Sequence, residues 1–149
     1  MHPTHLDPGR VRNIRVGINA SKFCDAVVKG EGEVIVWGTG KATREFQYVE
    51  DAAEGIVLAT ERYFGTEPVN LGTGFEISIK DLVDKIIKLT GFEGEIVWDS
   101  TKPDGQPRRK LDTSRSEQLF NYRAKTSLDE GLKKTISWYK ENVLKVKKK

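Results

Sequence analysis

Two polar turns carry the residues of this sequence best suited to chemistry. In Trp37-Gly38-Thr39-Gly40-Lys41-Ala42-Thr43-Arg44 an aromatic ends a strand-like run, and an arginine follows a tight glycine turn. A flat ring can stack on an indole, and a guanidinium can grip a phosphate through two parallel hydrogen bonds. In Lys102-Pro103-Asp104-Gly105-Gln106-Pro107-Arg108-Arg109-Lys110 the prolines stiffen a basic loop that could close on a diphosphate. Each segment also has a plainer reading: a core tryptophan beside a surface arginine, and a solvated loop. Pattern alone leaves these readings open.

No nucleophile constellation competes with these turns. Cys24 lies among Phe23, Ala26 and Val27 and reads as a packed core thiol. His2 and His5 have no metal-ligand partner at useful spacing. Asn19-Ala20-Ser21 spells a glycosylation sequon, but no secretory signal accompanies it.

The elements that must position the two turns follow from periodicity. Ser21–Gly30 reads as a short helix stopped by glycine, and Glu33–Gly38 as a strand ending in the Gly-Thr-Gly turn. Phe46 and Tyr48 alternate like a short strand. Ala52, Ala53, Ile56, Val57, Thr60 and Tyr63 then repeat at helical spacing, with Gly65 as the stop. Val69 to Leu71 reads as a brief buried strand. Ser78-Ile-Lys-Asp81 resembles a capping box, and behind it Ile79, Leu82, Val83, Ile86 and Ile87 form one apolar face closed by Gly91. Glu95–Asp99 is another strand, and Thr113–Phe120 a short helix. Ser127-x-x-Glu130 opens the last helix, with Leu128, Leu132, Ile136, Tyr139 and Val143 facing inward. Alternating strands and helices favour an α/β fold.

Composition excludes several classes. The chain has 149 residues, 25 Lys+Arg, 22 Asp+Glu and one Cys, which suits one domain and rules out an internal disulfide framework. No apolar run reaches the roughly 18 residues of a membrane span, and the start lacks the apolar core of a signal peptide. A cytoplasmic location is the default expectation. Lys145, Lys147, Lys148 and Lys149 supply four positive charges, and without them the net charge of +3 becomes −1. That tail reads as a solvated helix end rather than a nucleic-acid arm.

Three stretches, VWGTGKATREFQYVEDAAEGIVLATE, VNLGTGFEISIKDLVDKIIKLTGFEGEIVWDSTKPDGQPRRKLDTSRSEQLF and SLDEGLKKTISWYKEN, together resemble the GDP-L-fucose synthases. These are NADP-dependent epimerase-reductases of the extended short-chain dehydrogenase family, which make GDP-L-fucose from GDP-4-keto-6-deoxymannose. The resemblance implies that Trp37 and Arg44 hold the guanosine diphosphate, with Val36 beside them in the strand. It places Arg109 where the family carries a lysine on the nucleotide sugar, so charge is kept while a planar fork replaces a point charge. Asp51, after the Arg-Glu-Phe motif, is expected to play a structural part at a helix N-terminus.

The departures from the family are as informative. Its Gly-x-x-Gly-x-x-Gly cofactor turn, its serine, its Tyr-x-x-x-Lys pair and its epimerisation cysteine are all missing from this sequence. Ile14 stands where the family has an active-site histidine, and an isoleucine cannot shuttle a proton. The pattern fades before about Lys22.

The expectation is therefore a divergent, poorly ordered leader over 1–21. Residues 22–149 would form an α/β nucleotide-sugar-binding domain, the C-terminal half of such an enzyme. It would have no catalytic residue, cofactor site or metal of its own, whereas the full-length family uses NADP(H). Residues 52–63 and 69–71 belong in the family with the Rossmann sheet. Without that layer the chain is expected to form a homo-oligomer or pair with a separate Rossmann-domain polypeptide. The alternatives are a non-catalytic remnant or interaction subunit, or part of another nucleotide-sugar epimerase or dehydratase.

Overall fold

The computed structural model describes residues 15–145, with side chains from residue 20 onward. His2, His5, Ile14 and the lysines at 147–149 lie outside the described residues. The elements in chain order are α1 (Arg15–Lys29), β1 (Glu33–Trp37), β2 (Thr43–Glu45), α2 (Val49–Arg62), β3 (Glu76–Ser78) and α3 (Ile79–Thr90). They continue with β4 (Glu95–Asp99), β5 (Arg108–Arg109), α4 (Ser114–Phe120), α5 (Leu128–Tyr139) and a π-helical turn, Lys140–Leu144. This is the mixed α/β arrangement that the alternating pattern predicts.

Two small sheets organise these elements. In one, β1 and β4 run parallel, with Val34 opposite Ile96, Val36 opposite Trp98 and Trp37 opposite Asp99. In the other, β2 is central, antiparallel to β3 and parallel to β5. The alternation of β1 turns Val34 and Val36 inward and leaves Ile35 and Trp37 outward. The inward face meets Phe23 and Ala26 of α1, Leu82, Val83 and Ile86 of α3, and Leu132 of α5. Phe23 also packs edge-on to Phe92, with ring centroids 5.3 Å apart. Cys24 is buried, as a packed core thiol should be, and burial raises its pKa.

The helix starts behave as their sequences dictate. Ser78 Oγ accepts from the Asp81 amide at 3.0 Å and donates to the Asp81 carboxylate at 2.6 Å. Ser127 Oγ accepts from the Glu130 amide at 3.3 Å. Asp51 is buried in the first turn of α2, where its carboxylate accepts from the Thr126 amide at 2.9 Å and the Thr126 hydroxyl at 3.1 Å. Tyr122, also buried, donates to the Asp51 carbonyl at 2.8 Å. Asp51 thus ties α2 to the segment that leads into α5.

Four expectations change, the first being that β2 ends at Glu45, short of the strand expected at Phe46 and Tyr48. The first helix begins at Arg15 rather than Ser21, so residues 15–21, assigned to a poorly ordered leader, are helical. Val69–Leu71 is not a strand. Its side chains alternate between half-buried and exposed as a strand's would, yet none of the described strands pairs with it, and an extended segment needs a ladder to become sheet. At the C-terminal end, Leu144 is buried and Val143 only half-buried. The π turn adds a residue to the helical repeat and rotates the next apolar position inward.

α2 leaves an apolar face uncovered: Ile56 is 59% and Val57 55% exposed, and Phe64 just beyond it is 88% exposed. No helix among the described residues is long and apolar enough to cross a membrane. Leu82 has no exposed surface and sits at the centre of the main core. Leu82→Ala should therefore cost about 3 kcal/mol in chemical denaturation, and Ser78→Ala, which removes a cap, about 1 kcal/mol.

Candidate functional site

The segment from 104 to 111 has only the two residues of β5 in regular structure, so side chains must hold it in place. Three carboxylates do so. Asp104 accepts from the Thr39 amide at 2.7 Å and from the Thr39 hydroxyl at 2.6 Å, which fastens the loop to the Gly38-Thr39-Gly40 turn. Glu76 of β3 takes Arg108 in a forked pair, with Nε–Oε1 at 2.8 Å and Nη2–Oε1 at 2.6 Å, and accepts from Thr43 Oγ1 at 2.9 Å. Glu45 of β2 accepts from the Leu111 amide at 2.9 Å through Oε2, and from the Thr73 and Gly74 amides at 2.5 and 3.1 Å through Oε1.

Glycine is required at two of these contacts. Gly38 has φ +88°, and a Cβ there would lie 2.3 Å from Asp104 Oδ1. A Cβ on Gly72 would lie 2.1 Å from Glu45 Oε1. Any side chain at either position would push a carboxylate off its amides.

The residues expected to bind a ligand take different places on this frame. Trp37 ends β1 and is 66% exposed, with Lys102 Nζ 5.7 Å and Lys22 Nζ 6.0 Å from its ring centroid. Val36 is 3% exposed and points into the core, so its side chain supports the strand. Arg44 is half-buried on β2, donating to the Thr43 carbonyl at 2.6 Å and to the Asp104 carbonyl at 3.3 Å. Arg109 is the register partner of Arg44 across the parallel β2–β5 pair, so both side chains leave the same face of the sheet.

Arg108 and Arg109 have separate roles. The Arg108 guanidinium is engaged by Glu76, whereas the Arg109 guanidinium makes no hydrogen bond or ion pair with any described residue. Both arginines line an open cleft of about 820 Å³, together with Gly74, Lys110, Leu111, Asp112, Thr113, Ser114 and Glu117. The structure therefore brings Arg44 and Arg109 together on one sheet. Trp37 stays on the other and is linked to Arg44 through the 102–104 loop. Asp104, Thr39, Glu45 and Glu76 escaped the sequence reading. The Pro-Asp-Gly and Gly-Thr-Gly turns signalled bends, without showing that one bend bonds to the other.

The carboxylates respond to acid in a defined direction. Hydrogen bonds from Thr39, chiefly its hydroxyl and then its amide, hold the Asp104 carboxyl below the ordinary aspartate range. The Arg108 hydrogen bond, followed by that of Thr43, does the same for Glu76. A depressed pKa means the folded state favours the anion. Its stabilising contribution is present above the ordinary carboxylate range and lost as pH falls through the lowered value. The Thr39 amide should therefore stay protected from exchange down to about pH 4 and open only below it. Nuclear magnetic resonance of this 16.8 kDa chain reads that directly, and loss of protection already near pH 5 would contradict it.

Comparisons with known proteins agree with the motif resemblance and extend it. The family described as NAD dependent epimerase/dehydratase matches residues 3–72, which reaches into the segment expected to be a divergent leader. GDP-L-fucose synthase 1 of Arabidopsis thaliana is 45% identical over 122 residues, covering 82% of this chain and 38% of that protein. The crystal structure of a GDP-L-fucose synthetase from Naegleria fowleri bound to NADP superposes with TM-score 0.75 at 29% identity, over 83% of this chain and 39% of that one. UDP-glucose 4-epimerase of Thermotoga maritima, solved with UDP-glucose, gives TM-score 0.73 at 28% identity, over 83% and 40%. The chain thus spans about two fifths of the length of the relatives it matches. In sequence and in fold the chain resembles the C-terminal half of the GDP-L-fucose synthases, and residues 3–72 match the NAD dependent epimerase/dehydratase family.

Proposed function

We propose that this chain forms the nucleotide-sugar-binding part of a GDP-L-fucose synthase-like epimerase-reductase. What supports the reading most is the contrast between two adjacent arginines. Both line the same cleft, but Arg108 is engaged by Glu76, while Arg109, on the sheet face of Arg44, bonds no described residue. An uncompensated guanidinium beside a second one suits an anion with several oxygens, and a diphosphate has that form. Trp37 offers an exposed ring on which a base can stack, within reach of the same loop. The substrate contacts are accordingly assigned to Trp37, Arg44 and Arg109, with Val36 serving through the strand.

NADP is the cofactor named for the Naegleria relative, and we take NADP(H) as the cofactor of the full-length enzyme. The Gly38-Thr39-Gly40 turn of this chain does not fit a dinucleotide's pyrophosphate. The Asp104 carboxylate fills the space beside Gly38, and the turn leads into a strand rather than a helix N-terminus. The turn serves instead to anchor the loop at Asp104. Catalytic turnover belongs to an assembly that supplies a Rossmann half, and the lone chain is expected to bind without reacting.

A second reading, an interaction subunit, has its own observation in the uncovered face of α2. That face would be closed by a second copy or by a separate Rossmann-domain polypeptide. Sedimentation of the purified chain should show association that Ile56→Glu with Val57→Glu abolishes. A wild-type chain that stays monomeric at high micromolar concentration would remove self-association from consideration.

Calorimetric titration with GDP and with UDP tests the leading proposal. Loss of one charged contact is worth about 1.5–3 kcal/mol, so Arg109→Ala should weaken GDP by roughly ten- to a hundredfold. Arg44→Ala should weaken it by at least as much. Tighter binding of UDP than GDP would redirect the assignment to another nucleotide-sugar epimerase, and heat from neither nucleotide would overturn it.

A further inference from the structure

The candidate ligand residues lie on two separate sheets, joined along the chain by residues 38–42 and braced across that turn by one loop that touches both. Trp37 ends a strand of the β1–β4 pair, whereas Arg44 and Arg109 belong to the β3–β2–β5 sheet. Between them runs the loop that carries Lys102 and Asp104. Lys102 sits at the Trp37 ring, and the Asp104 carbonyl takes a hydrogen bond from Arg44 Nη2 at 3.3 Å. The Asp104 side chain fixes that loop through both of its oxygens, on the Thr39 amide and hydroxyl. Gly38 leaves room for the carboxylate, which lies where a Cβ would otherwise stand.

We infer that Asp104 is a positioning residue. Its contact with Thr39 sets where Trp37 and Arg44 stand relative to each other, and so decides whether base and phosphate can be held at once. This deepens the nucleotide-sugar reading and rests on it. The side chain itself is turned toward the glycine turn, so its effect passes through its own backbone carbonyl and through Lys102. Lys41 and Arg44 are nearby cations and the Gly40 amide also faces the Asp104 carboxylate, so its hold on the turn centres on Thr39 and extends to the next residue.

The chemistry separates three variants. Asp104→Ala removes both acceptors. Asp104→Asn keeps the amide acceptor and can donate to the Thr39 hydroxyl, so it can rebuild the contact with its polarity reversed. Thr39→Val keeps the backbone bond and loses the hydroxyl.

The experiment combines magnetic resonance with calorimetry on the full chain. The Trp37 indole and Arg44 guanidinium signals report geometry without any ligand, and GDP titration reports binding. In Asp104→Ala, the Thr39 amide should exchange about tenfold faster or more, and both reporter signals should move. GDP affinity should fall about tenfold, with Asp104→Asn restoring most of it and Thr39→Val intermediate. Unmoved Trp37 and Arg44 signals in Asp104→Ala, in a chain that remains folded, would overturn the inference. So would wild-type GDP affinity in that variant. Reporter signals that shift while the wild-type chain binds no GDP would uphold the positioning role and sink the nucleotide assignment instead.

Discussion

A single carboxylate, Glu45, holds three backbone amides that come from two separate loops. Thr73 and Gly74 approach one oxygen, and Leu111 approaches the other. A carboxylate can accept at about four lone-pair sites, so this arrangement satisfies amides that no strand or helix could reach. The Arg109 cleft depends on it, since Gly74 and Leu111 both line that cleft. Neutral hydrogen bonds at these positions would be weaker by roughly half. The cleft is therefore set by charge on a strand rather than by packing of its own lining.

The same logic recurs along the segment that carries the ligand residues. Asp104 fixes its beginning, Glu76 its middle and Glu45 its end. A loop of this kind has no apolar face with which to join the core, and its prolines cannot donate to a ladder. Carboxylates from the loop itself and from β2 and β3 substitute for a core. One consequence concerns the neighbouring arginines. Because β5 alternates, Arg108 and Arg109 leave the strand on opposite faces, and Glu76 stands on only one of them. Pairing Arg108 thus leaves Arg109 unpaired by geometry, with no need to exclude carboxylates from its surroundings.

Much of the scaffold was legible in the chain because its signals are local. The caps at Ser78 and Ser127 are written within four residues of sequence, and the apolar spacing of α3 is written within twelve. The strands β1 and β4 follow from alternation and from their glycine boundaries. Illegible features share one property, which is dependence on distant partners. Thr39 and Asp104 are separated by 65 positions, and Glu45 and Leu111 by 66. No period or composition within either turn encodes such a bond. Val69–Leu71 failed for the complementary reason. Its alternation is strand-like, but a strand exists only where another edge accepts it, and none of the described edges does. At Val143 the error was one of period, since a π turn shifts every later position on the helix.

The family resemblance proposes ligand residues by position, and the structure supplies a physical reason to rank them. Val36 and Trp37 are neighbours in sequence, yet strand alternation sends one into the core and the other to solvent. Arg44 donates to two carbonyls and has a further contact besides, so only part of its fork can turn to a phosphate. A guanidinium has five donors, which makes that division possible for arginine where a lysine would have to choose. Arg109 has no such prior commitment among the described residues and can turn its whole fork to a ligand. The two arginines then take different parts. Arg44 is held in place and sets the geometry, while Arg109 is free to follow the anion. Placing one fixed and one free cation on adjacent strands limits the ordering cost of binding to a single side chain.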